Sequence, residues 1–124
     1  IEAMTMLEMA NKQLIPAATA YMSDVASAAA AKMAVSEKLS CKAENKVLEK
    51  LSAATDAMSD AVDALDAALE SAESETDSLE KAKAYRDKVL PAMADLRTAA
   101  DAAEVVCGED YWPLPSYSKM LYYV

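Results

Sequence analysis

The sequence predicts an all-α fold: an antiparallel up-down-up bundle of three long helices that ends in an aromatic tail. Three observations point there. Alanine, the strongest helix former, fills 28 of the 124 positions. A single glycine leaves almost nothing for tight hairpins or phosphate-cradling loops. Apolar residues also recur at spacings of three and four along three long stretches, the mark of amphipathic helices.

The first helix is expected over about residues 2–35. Leu7, Leu14, Tyr21, Val25 and Ala28 mark its stripe, and Met4, Met6 and Met9 broaden it. The segment from Ser36 to Ser40 makes a short connector, with Ser40 as N-cap of the next helix. That middle helix, about 41–72, has the clearest seam: Leu48, Leu51, Thr55, Met58, Val62, Leu65, Leu69 and Ala72. Asp56, Asp60, Asp63, Asp66, Glu70, Glu73 and Asp77 track its other side. Repeated carboxylates invite a metal-buffer reading, but one helix cannot wrap the ~6–8 oxygen ligands a hard cation takes. A solvated acidic face is the better account.

The third helix, about 77–106, carries Leu79, Ala82, Tyr85, Val89, Met93, Leu96, Ala100 and Ala103 on its apolar face. Ser74 and Thr76 are good N-caps, and Asp77 with Glu80 repeats the capping pattern. Gly108 stands where a left-handed C-terminal cap would go.

Pro16 and Pro91 fall inside the first and third helices. Each removes a hydrogen bond and presses on the carbonyl four residues back, at roughly 3 kcal/mol if nothing compensates. The apolar stripe stays in phase across both, which favours kinks over breaks. Helices one and three would run parallel with their prolines at similar height, a coincidence that supports the bundle. Cys41 and Cys107 should lie at the same end, able to pair if their Cα atoms come within ~7 Å, with two reduced thiols as the default.

The bundle therefore covers 1–108, and 109–124 is a separate segment. Five of the seven aromatics fall in the last fourteen residues. Each can bury ~150–250 Å², so the tail must pack on its own bundle or on a partner. Tyr111, Trp112, Pro113, Leu114, Pro115, Tyr117 and Leu121 are its candidate docking residues.

Several function classes fall away. The sequence has no histidine, which removes imidazole bases and ligands. A net charge of −9 argues against nucleic acid as a partner. The longest uncharged run, Gln13 to Ser23, is too short to span a membrane. No leader pattern opens the chain, and the start at Ile1 points to a fragment or processed product. No catalytic, cofactor-binding or metal-ligating residue is nominated.

The run from Tyr111 through Trp112-Pro113-Leu114-Pro115 to Tyr117 and Leu121 resembles the ending of type III glutamine synthetases. The block Tyr85 to Arg97, around Val89-Leu90-Pro91-Ala92, is similar to that family's late helix. Ala10 to Ala18, around Leu14-Ile15-Pro16, is similar to an earlier one. The resemblance implies a non-catalytic C-terminal helical domain with a packing or assembly role. Its parent would be a cytoplasmic enzyme that condenses glutamate with ammonia, using ATP and Mg²⁺ bound by other domains. The partners would be the upstream catalytic domain and neighbouring subunits. The alternative is a free-standing helical adaptor or scaffold whose tail docks on another protein.

Overall fold

The computed structural model describes residues 2–114. Among them every regular element is helical, in three rods. The first comprises α1 (Glu2–Met9), a π-helical turn (Ala10–Leu14) and α2 (Ile15–Val35). The second is α3 (Lys42–Glu73). The third comprises α4 (Ser78–Ala84), a second π-helical turn (Tyr85–Val89) and α5 (Leu90–Val106).

The two π turns have one cause. Each ends two residues before a proline, Pro16 or Pro91. A regular helix would drive each proline ring into the carbonyl of Lys12 or Asp87. Both carbonyls lie inside the widened turn, where Ile15 N–H reaches back to Ala10 O and Leu90 N–H to Tyr85 O. An i→i+5 bond of this kind is how a helix absorbs an extra residue without ending.

α3 is the central rod, and both α2 and α5 pack along it. Its seam supplies Leu51, Met58 and Leu65, all fully buried, with Val62 and Leu69 close behind. Burial of each such large side chain contributes ~1.5–3 kcal/mol. Val89 and Leu96 answer from the third rod, and Leu14 from the first. Between them sit buried alanines, among them Ala10, Ala18, Ala54, Ala61, Ala99 and Ala103. So many small side chains at the contacts allow axes to approach toward the ~8 Å limit of helix packing. Asp56, Asp60, Asp63, Asp66, Glu70 and Glu73 are all exposed.

The connections are tied by polar side chains. Lys32 Nζ bonds both carboxylate oxygens of Glu44 at 2.9 Å, linking the end of α2 to the start of α3. Tyr85 donates its hydroxyl to Glu73, which also pairs with Lys81 at 3.5 Å. Asp77 caps α4 by accepting from Glu80 N–H at 3.4 Å.

Two local expectations need correction. Cys41, not Ser40, occupies the cap position of α3, without a side-chain cap; Ser40 Oγ accepts from Lys42 N–H at 3.2 Å instead. Gly108 does not take a left-handed conformation, since no glycine has positive φ and Cys107 ends α5 in an extended one. Its glycine identity answers to space: a Cβ there would stand 2.8 Å from the Tyr21 ring. The cysteines are both free. Cys41 meets the carbonyl of Ala29, whereas Gly108, beside Cys107, packs on Tyr21. Eight residues of α2 separate those contacts, about 12 Å of helix, because α2 and the start of α3 extend past the end of α5.

Candidate docking site

The chain leaves α5 at Cys107 and turns at once. Tyr111 and Trp112 N–H groups both reach back to Gly108 O, at 3.0 and 3.2 Å. Bare backbone at Gly108 lets the turn press against the first rod. Tyr111 then lies on Tyr21, with ring centroids 4.9 Å apart and planes tilted by 54°. Its hydroxyl donates to Asp24 Oδ2, and that bond raises the phenol pKa above its ordinary value near 10.

Trp112 goes inward and is only 8% exposed, as part of the core. Its indole N–H is buried with no acceptor among the described residues. Pro113 is exposed, and Leu114 is half-buried against the core. Pro115, Tyr117 and Leu121 lie outside the described residues.

Leu114 also forms one wall of an open groove between the first and third rods, of about 520 Å³. Met6, Met9, Leu14, Leu96 and Ala100 make the rest of its apolar surface. Arg97, Asp101 and Glu104, one helical face of α5, stand along one edge. None of the three has an ion-pair partner among the described residues, although Glu104 is half-buried.

Among the described residues no three His, Cys, Asp or Glu side chains gather to hold a metal ion. Burial pushes the Cys107 thiol pKa up, away from the thiolate a nucleophile needs. No helix is long and apolar enough to cross a membrane.

The partners of Tyr111 on the first rod, Tyr21 and Asp24, were not singled out as such by the sequence. One signal was present: Asp24 and Lys32 are the only charged residues in the 21 of α2. Each turns out to anchor a neighbouring segment.

Compared with known proteins, the chain is similar to a glutamine synthetase from Butyrivibrio fibrisolvens, 34% identical over 122 residues. It is homologous to part of that enzyme. The match takes in 98% of this chain but only 17% of the relative, so the chain spans about one sixth of that protein's length. No family model matches. No solved structure matches.

Proposed function

We propose that this chain is the C-terminal helical domain of a type III glutamine synthetase, without catalytic residues of its own, serving packing and oligomer assembly. The observation that carries the reading is the similarity to a glutamine synthetase along nearly the whole chain, at one sixth of that enzyme's length. The parent enzyme, cytoplasmic in this reading, would ligate glutamate and ammonia with ATP and Mg²⁺ held by its other domains. The three rods would form an antiparallel up-down-up bundle standing against the catalytic domain and neighbouring subunits. The type III assignment rests on the Trp112-Pro113-Leu114-Pro115 ending.

The fold supports a packing role in a specific way. α2 is apolar over most of its surface, yet only Ala18 is buried, and Met33 and Val35 are 58% and 80% exposed. Exposed apolar surface of this extent marks a contact face. The free-standing adaptor is the weaker reading, because Trp112, the largest aromatic of its docking peptide, is already committed to this chain's own core.

The test is enzymatic. The full-length polypeptide carrying this chain should form glutamine from glutamate, ammonia and ATP, and residues 1–124 alone should not. Glutamine or γ-glutamyl phosphate formed by the 124-residue chain would refute the assignment. Removing 111–124 from the full enzyme should lower oligomer size or melting temperature more than glutamate affinity. Unchanged assembly and melting would overturn the packing role.

A further inference from the structure

We infer that the groove between the first and third rods is the seat of an apolar helical segment from the remainder of the same polypeptide, one that carries a lysine or arginine to meet Asp101 and Glu104. The inference rests on the domain reading above and adds the surface and the partner's chemistry.

The groove has the form of a helix receptor. From Met6 to Leu14 its first wall runs eight residues, about 12 Å, or just over two turns of helix. Met6, Met9, Leu14, Leu96, Ala100 and Leu114 give it an apolar floor. Methionine suits such a floor, because an unbranched, polarisable side chain adapts to whatever is laid on it. Helices bind grooves of this kind through apolar anchors spaced about three, four and seven residues apart.

The edge is net negative, with Arg97 one turn before Asp101 and Glu104 one turn after it. Asp101 and Glu104 sit one turn apart on α5, and Glu104 is half-buried with no cation beside it among the described residues. A partly desolvated carboxylate gains most from a partner that brings a positive charge. Since the relative is about six times as long as this chain, most of such an enzyme lies outside these residues, and the occupant is assigned to it. Asp101 and Glu104 set its polarity and the methionine floor its apolar character.

Methionine oxidation reads the groove directly. Limited peroxide treatment converts accessible methionine to its sulfoxide, which peptide mass mapping counts. Met6 and Met9 are expected to oxidise several-fold more slowly in the full-length enzyme than in the 124-residue chain. Met33, 58% exposed on another face, gives the unprotected rate in the isolated chain. Carbodiimide coupling in the full-length enzyme should also join Asp101 or Glu104 to a lysine outside residues 1–124, and Glu104→Gln with Asp101→Asn should abolish that link.

Equal Met6 and Met9 rates in an active full-length enzyme would overturn the proposal. So would a link to Lys119, or protection in the isolated chain that vanishes when 115–124 are removed; either would give the groove to the chain's own end. Protection of the isolated chain that rises with its concentration would overturn it in favour of a second copy. If the full-length polypeptide forms no glutamine, the enzyme reading fails, and the oxidation comparison still reports whether the groove is covered.

Discussion

Replacing Trp112 with alanine tests whether the tail is part of the fold or an ornament on it. The indole is 8% exposed and packs in the common core, and truncating a buried tryptophan costs about 3–5 kcal/mol. An offset applies here. The indole N–H is buried without an acceptor, and relieving an unsatisfied donor returns about 1–3 kcal/mol. The expected net loss is about 2 kcal/mol. With an unfolding entropy of about 2.1 cal/mol/K per residue, 124 residues give roughly 0.26 kcal/mol/K, so the melting temperature should fall by about 8 °C. Trp112→Phe keeps most of the ring and drops the orphan donor, so its melting point should stay much closer to the parent's. Helical ellipticity on heating is the assay. Trp112 is also the only tryptophan, so its emission should be blue-shifted and poorly quenched by acrylamide. Unchanged melting of Trp112→Ala, together with solvent-like emission of the parent, would refute the seating of the tail.

Gly108→Ala should destabilise by about 1–3 kcal/mol, the usual range for overpacking, because its new methyl meets the Tyr21 ring at 2.8 Å and Tyr111 at 3.2 Å; equal denaturant midpoints would contradict this. Tyr111 tests pH dependence. Its phenol pKa is raised in the folded chain by the hydrogen bond to Asp24, so that bond stabilises the fold below the unfolded value near 10 and is lost as pH rises through the higher folded value. Stability measured across that alkaline range should fall less steeply in Tyr111→Phe and Asp24→Asn; identical slopes would count against the contact. Met58→Ala should cost about 2–5 kcal/mol in chemical unfolding, since Met58 is fully buried in α3. Asp60→Asn, on the exposed face of the same helix, should stay within about 0.5 kcal/mol.

Much of the helical content was legible in the residues themselves. The three-four spacing of Leu51, Met58, Val62, Leu65 and Leu69 selects both the secondary structure and the buried face, because a helix brings such positions onto one side. The acidic residues between them could only face water. The proline sites were visible too, though not their form: a π turn before each depends on packing that holds the rod continuous across the missing hydrogen bond. Gly108 shows the opposite failure. Local rules read it as a left-handed cap, whereas the Tyr21 ring, 87 residues away in sequence, explains why no side chain fits there.

What the chain determined alone is periodic and local: helix, buried stripe, charged face, and an aromatic-rich end. Tertiary structure decided what those parts meet. Only folding brings Asp24 to the hydroxyl of Tyr111 and Lys32 to Glu44, and only folding leaves Glu104 without an ion-pair partner among the described residues beside a methionine-floored groove. Side-chain spacing along one rod is set by backbone geometry, which neighbouring residues share. The height at which two rods meet is set by where their connectors end and how small their facing residues are, and no short stretch of sequence carries that information.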